Sequence, residues 1–352
     1  MLYTRVLKPI LFRFDPESVH DFFVSSGRVL GTSAITRSLI NLVYGYHGTD
    51  ISKVVDGISY RTPFLLSAGF DYNANLMGIL GSIGLGGEEI GSVTARPCAG
   101  NPAPRLTRLP KSRSILVNKG LKNEGVDAVI ARIKEYKSKE IKEQKPFVIG
   151  ISIARTNDEQ SAASIEAGIA DYAYSYRRLN EEGVGDYYTI NISCPNTFGG
   201  ETFTKPELLE QLLTELGKIP CTKPVYAKMP INIPWEQFDA LLKIIDRHGL
   251  QGVVIGNLQK DYEALDVREE APKVYQGGLS GKPCTHQSTD LIYKTRELYG
   301  KRFTIIGVGG VMSPETAQEK FDAGADLVQL ITGMIFEGPG LIRKLNRAYS
   351  KK

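Results

Sequence analysis

Residues 187–196 read Tyr187-Tyr188-Thr189-Ile190-Asn191-Ile192-Ser193-Cys194-Pro195-Asn196. The first half is a short apolar and β-branched run, the pattern of a strand covered on both faces. The second half turns abruptly into amides, a hydroxyl, a thiol and a proline. A buried strand that ends in reactive and turn-forming groups is the unit of an α/β barrel, whose sites are built at the C-terminal ends of its strands.

The unit repeats on either side. Apolar runs at residues 64–68, 89–94, 147–153, 187–193, 225–228, 252–257, 304–308 and 327–332 alternate with amphipathic stretches at 126–137, 162–179, 206–216, 235–248, 288–299 and 314–323. Eight such runs predict a closed (β/α)8 TIM barrel; an open doubly wound sheet shares the periodicity and remains an alternative. The predicted fifth strand ends in Lys228 and the sixth in Asn257. The seventh runs into Gly307-Val308-Gly309-Gly310, and the eighth into Thr332-Gly333 ahead of a helix start at Gly338-Pro339-Gly340. Turn chemistry explains any one of these ends; their convergence on one mouth points to a site. Glycines after strands seven and eight are where such barrels commonly bind phosphate, so a phosphorylated ligand or cofactor is expected.

Composition agrees. A chain of 352 residues accommodates a barrel of about 250 residues with additions. Hydrophobic residues make up 42% and charged ones 23%, enough for a large core and against disorder. A net charge of +4 gives no argument for nucleic acid. Cys98, Cys194, Cys221 and Cys284 form no CxxC pair, and His20, His47, His248 and His286 lack ligand spacing, so neither disulfides nor a metal site is expected, and a reducing compartment fits. No apolar run approaches the roughly 20 residues of a membrane span, and the N-terminus lacks the apolar stretch of a secretory signal.

Residues 1–45 stand apart from the barrel, residues 46–352. Leu2, Val6, Ile10, Leu11, Val19, Phe22, Phe23, Leu30, Ile35, Leu39 and Leu42 recur at roughly helical spacing, interleaved with Arg5, Lys8, Arg13, Arg28 and Arg37. Asp15-Pro16-Glu17 is a helix-start signal. The segment reads as a short helical appendage, suited to a membrane surface or to packing on the barrel.

The motifs together resemble a known family. Residues 7–20 (LKPILFRFDPESVH), Ser67-Ala68-Gly69-Phe70-Asp71, Glu89-Ile90-Gly91-Ser92-Val93-Thr94, and Gly100-Asn101-Pro102 with Pro104-Arg105-Leu106 are similar to class 2, quinone-dependent dihydroorotate dehydrogenases. So are residues 191–196, Gly277-Gly278-Leu279-Ser280-Gly281 and residues 306–310, in the family's order across essentially the whole chain. The resemblance implies oxidation of dihydroorotate through FMN, with electrons passed to a membrane quinone. It implies FMN contacts at Ala68, Gly69, Ser92, Ser152, Asn191, Lys228, Gly281, Gly309, Gly310 and Thr332. Asn191, Asn196 and Asn257 would face substrate, along with Tyr72, Asn118 and Gly120. His20 and Arg108 match positions at the quinone entrance. Cys194 falls where the family places its catalytic base, although class 2 members usually have serine there and class 1 enzymes cysteine. A monomer peripherally bound to the cytoplasmic side of a bacterial-type cell membrane is the corresponding expectation.

Several residues depart from the family pattern. The family has lysine where this chain has Tyr72, and threonine where it has Leu258. An asparagine on the flavin side of the third strand has become Ser152. Aligned without a gap, Val117 occupies the position of a substrate-binding asparagine; a one-residue shift places Asn118 there. These changes leave two further readings open: a related FMN enzyme for another dihydropyrimidine or unsaturated cyclic substrate, or a barrel that binds a phosphorylated ligand without turnover.

Overall fold

The computed structural model describes residues 3–139 and 147–351; Leu2 of the amphipathic pattern lies outside them. Eight parallel strands close into a barrel: β1 (Phe64–Leu66), β2 (Gly87–Val93), β3 (Val148–Ile153), β4 (Tyr187–Asn191), β5 (Val225–Met229), β6 (Gly252–Ile255), β7 (Thr304–Val308) and β8 (Leu327–Leu330). Each pairs with its sequence neighbours, and β8 closes the ring on β1 through Val328 beside Phe64. The expected closed barrel is therefore present, and the open sheet is not.

Side-chain alternation sorts two cores. Leu65, Val148, Tyr187, Tyr226, Val254, Ile306 and Leu327 point into the barrel. Their neighbours Phe64, Leu66, Ile149, Tyr188 and Ala227 point outward to the helices, as period-two geometry requires. The helical layer includes α3 (Val126–Lys139), α4 (Ile165–Glu181), α5 (Pro206–Gly217), α6 (Trp235–Arg247), α7 (Thr285–Tyr299), α8 (Pro314–Asp322) and α9 (Gly340–Tyr349). The stretch expected as one helix over 162–179 is divided, because Ser164 adopts extended backbone and caps α4 by accepting from the Ala167 N–H.

The N-terminal end of the barrel is plugged by an antiparallel hairpin, Lys53–Val55 and Ile58–Tyr60. Tyr60 is fully buried, and Tyr226 Oη donates to Asp56 Oδ2 at 2.6 Å. At the opposite end a three-stranded antiparallel sheet, Leu106–Leu109, Ser114–Val117 and Gly278–Leu279, forms a wall above the strand ends.

The N-terminal segment folds into α1 (Pro16–Thr32) and α2 (Ala34–Tyr44), preceded by shorter helical turns. Asp15 caps α1 through the Ser18 N–H at 2.8 Å. Gly31 lets α1 approach the short helix Met77–Leu80 closely: a Cβ there would lie 3.1 Å from the Gly78 carbonyl carbon. Among the described residues, twelve of the twenty exposed large hydrophobic side chains fall between Val6 and Val43. No helix among the described residues is long and apolar enough to cross a membrane.

Candidate active site

β4 breaks off at Asn191, and the turn that follows is held by side chains rather than by the sheet. Asn191 Oδ1 accepts from the Ser193 N–H at 3.2 Å, while Asn257, just past β6, donates from Nδ2 to Ser193 O and Oγ, each at 2.7 Å. Tyr172 Oη on α4 donates to Asn191 O at 2.8 Å. These bonds set the position of Cys194, whose half-buried thiol faces a cavity at the C-terminal mouth. Burial pushes the thiol up to about 11, against the opposing effects of the Asn196 N–H and Lys228.

A bulge in β2 between Ile90 and Val93 turns Ser92 into the same mouth. Its Oγ lies 2.8 Å from Ser152 Oγ and accepts from Asn191 Nδ2 at 2.8 Å. Lys228, at the end of β5, is buried, and its ammonium makes no hydrogen bond among the described residues. Burial lowers its pKa, with Glu89 and Cys194 opposing. Below it, Glu89 Oε2 accepts from Thr189 Oγ1 and Gln329 Nε2, each at 3.0 Å.

The cavity has a volume of about 380 Å³ and runs from the strand ends to the N-terminal helices. Ala68, Gly69, Tyr72, Ser92, Gly120, Asn191, Cys194, Asn196, Lys228, Asn257 and Thr332 line one part. Phe12, Val19, His20, Phe23 and Arg108 line the other. His20 donates from Nε2 to Phe70 O at 2.8 Å, and its ring stands 5.2 Å from that of Tyr72. Arg108 donates to Phe14 O at 2.8 Å and lies 4.7 Å above the Phe12 ring.

A second cavity of about 90 Å³ adjoins it, lined by Ser280, Gly281, Gly309, Gly310, Thr332 and Gly333. Gly310 has φ of 74°, and a Cβ there would fall 1.9 Å from Thr285 Oγ1, so no larger residue fits the cradle. Beneath it, fully buried Lys320 donates to Thr285 O at 3.0 Å and to Thr289 Oγ1 at 2.6 Å, and also contacts Ser288. Burial brings its pKa down to about 7.

Two of the sequence-derived site residues do not line either cavity. Ser152 lies behind Ser92, and Asn118 turns away to accept from Asn101 Nδ2 at 2.8 Å. For Asn118 the register of the cap sheet is the reason. Ile115 and Val117 face the large cavity, while Leu116 points to the other side with Leu109 and Leu279. Val117 also accepts from Asn196 Nδ2 at 2.8 Å through its carbonyl. Leu258 lines both cavities.

The family model described as dihydroorotate dehydrogenase matches residues 51–351. The chain belongs to the dihydroorotate dehydrogenase family. It is 34% identical over 355 residues to a protein of Christiangramia forsetii named dihydroorotate dehydrogenase (quinone), covering 100% of this chain and 99% of that one. A Rhizobium meliloti protein of the same name is 36% identical over 348 residues, covering 97% and 89%. Among solved structures, the family's Eimeria tenella enzyme in complex with ferulenol superposes with a TM-score of 0.80 at 25% identity, covering 95% of this chain and 90% of that chain. The family is flavin-dependent, which gives the paired cavities a shared occupant to be tested against.

One charged cluster at the site has no counterpart among the site residues expected from sequence. Glu17 on α1 accepts from Arg105, Lys119 and Lys122 at the rim of the large cavity. In the sequence Glu17 reads as part of a helix start, with nothing to mark its partners. The pairing spans about a hundred residues and is invisible locally.

Proposed function

We propose that this chain oxidises dihydroorotate to orotate with bound FMN and a membrane quinone as acceptor, in pyrimidine biosynthesis. The observation that carries the reading is the single cavity joining Cys194 and Lys228 to a largely apolar arm under α1. Two reactants of opposite polarity can thus be served from one redox centre.

The residues present fit FMN. The glycine cradle at Gly309 and Gly310 with Gly281 and Thr332 suits a phosphate, and the partnerless ammonium of Lys228 suits the electron-rich end of a reduced ring. Ala68, Gly69, Ser92 and Asn191 would line the ring, with Ser152 fixing the Ser92 hydroxyl from behind. When bound, FMN supplies the two-electron redox chemistry. The protein's part is orientation and proton removal. Asn191, Asn196 and Asn257 present polar edges to the pyrimidine, and Cys194, as thiolate, takes the proton from the substrate carbon adjacent to the one that loses hydride. Phe12, Val19 and Phe23 offer an apolar path for the quinone, with His20 and Arg108 at its polar points. Association with a membrane surface follows from the exposed apolar side chains of α1 and α2.

The test is an anaerobic spectrum of the purified protein before and after dihydroorotate. Bleaching of the flavin band is expected; a yellow protein that stays yellow would overturn the assigned substrate. A second reading, a different dihydropyrimidine, is favoured by Tyr72, Val117 and Leu258, which present no amide or hydroxyl equivalents of the family's residues except the phenol. Bleaching by another reduced pyrimidine, and not by dihydroorotate, would support it.

A further inference from the structure

Tyr72 stands where the family carries a lysine, yet the cavity is not left without a cation there. Lys119, from the loop after the cap strand Ser114–Val117, is buried and lines the large cavity. Its Nζ lies 5.3 Å from the centroid of the Tyr72 ring. Among the described residues its one hydrogen bond goes to Glu17 Oε1 at 2.7 Å. An ammonium has three N–H donors, so two remain for a ligand.

Glu17 is held in turn. Arg105 Nε donates to both its oxygens, at 3.0 and 2.9 Å, and Lys122 Nζ lies at 3.3 Å. Three cations around one carboxylate leave two positive charges uncompensated within the cluster. Burial opposes charge on Lys119, and the Glu17 carboxylate counters it. An anion drawn out of water needs a charged partner. The other buried lysine of this cavity, Lys228, lies beside Cys194 and Glu89 and is suited to the ring of the cofactor.

We propose that Lys119 receives the carboxylate of the substrate, and that Glu17 is a positioning residue that holds Lys119 over Tyr72, so that α1 completes the pyrimidine site as well as the quinone path. The inference rests on the reading of this cavity as a dihydroorotate site. It places the cation on the cap loop and ties it to the N-terminal appendage.

The experiment is calorimetric titration of the flavin-loaded protein with orotate, together with stopped-flow flavin reduction by dihydroorotate. Lys119→Met is expected to weaken orotate binding and raise the KM for dihydroorotate by roughly 10- to 100-fold, the scale of a lost charged hydrogen bond. The reduction rate at saturation should stay within a few-fold. Lys119→Arg should retain most of the affinity, since it keeps the charge. Glu17→Gln should raise the same KM by a smaller factor, and Glu17→Asp should restore it. Wild-type orotate affinity in Lys119→Met would overturn the proposal while leaving dihydroorotate oxidation intact. Wild-type protein that binds no orotate would take down both. Should Lys119→Met fail to fold, the Glu17 pair still decides: a Glu17→Gln protein of lowered melting temperature with unchanged orotate affinity marks the cluster as purely structural and overturns the proposal.

Discussion

At the scale of single residues, the site depends on groups whose ordinary chemistry has been shifted. Cys194 is pushed up to about 11, so near neutral pH the base proposed here is mostly the protonated thiol. Below that value the thiolate fraction grows about tenfold per pH unit. Flavin reduction by dihydroorotate should therefore accelerate as pH rises from 7 towards 10, the direction required of a base whose pKa is raised. Cys194→Ala should abolish that slope and slow reduction by roughly 10²- to 10⁴-fold while leaving flavin bound. A rate independent of both pH and the thiol would remove Cys194 from this role. Residue identities were the most legible part of the site, because polar groups at the ends of apolar strands are conspicuous. Their directions were not. Asn118 and Val117 are adjacent, and only the register of a sheet closed by Gly278, far along the chain, decides which one faces the cavity.

At the scale of elements, the eight barrel strands could be read from sequence because each is a short run buried on both faces, bounded by a helix of distinct period. Most predicted ends fell within one or two residues of the observed ones. The hairpin plug and the cap sheet were not readable, since strands of two to four residues carry too little periodicity. The packing of α1 was also hidden, for it depends on Gly31 meeting Gly78. Replacing Gly31 with valine should force the two helices apart at a cost of about 1–3 kcal/mol. The expected result is a large loss of quinone reduction with flavin reduction retained at saturating dihydroorotate. Equal quinone activity in Gly31→Val would show that the close contact does not shape the acceptor path.

At the scale of the whole molecule, polarity is distributed by end. The plugged end is sealed by Tyr60 and the Tyr226–Asp56 bond, and the other end carries both cavities. α1 helps to wall the large cavity through Val19, His20, Phe23 and Gly27, and it carries exposed apolar side chains, as does α2. Substituting Phe22, Leu39 and Leu42 with aspartate should abolish sedimentation with lipid vesicles while leaving bleaching by dihydroorotate unchanged. Undiminished vesicle binding would place the membrane contact elsewhere. None of the three lines the cavity, so the two readouts are separable.

The sealed barrel floor has an electrical consequence. A molecule that opens at one end, and rests that end on lipid, must admit a carboxylate through the layer of water next to a negatively charged surface. Anions are depleted in that layer and cations enriched, over a distance of about one Debye length, roughly 8–10 Å. With the proposed membrane association, Arg5, Lys8, Arg13, Arg28 and Arg37, set among the apolar side chains of the appendage, would offset part of the lipid charge. On that proposal, the composition of the bilayer would become part of the apparent affinity for a reactant that never touches it.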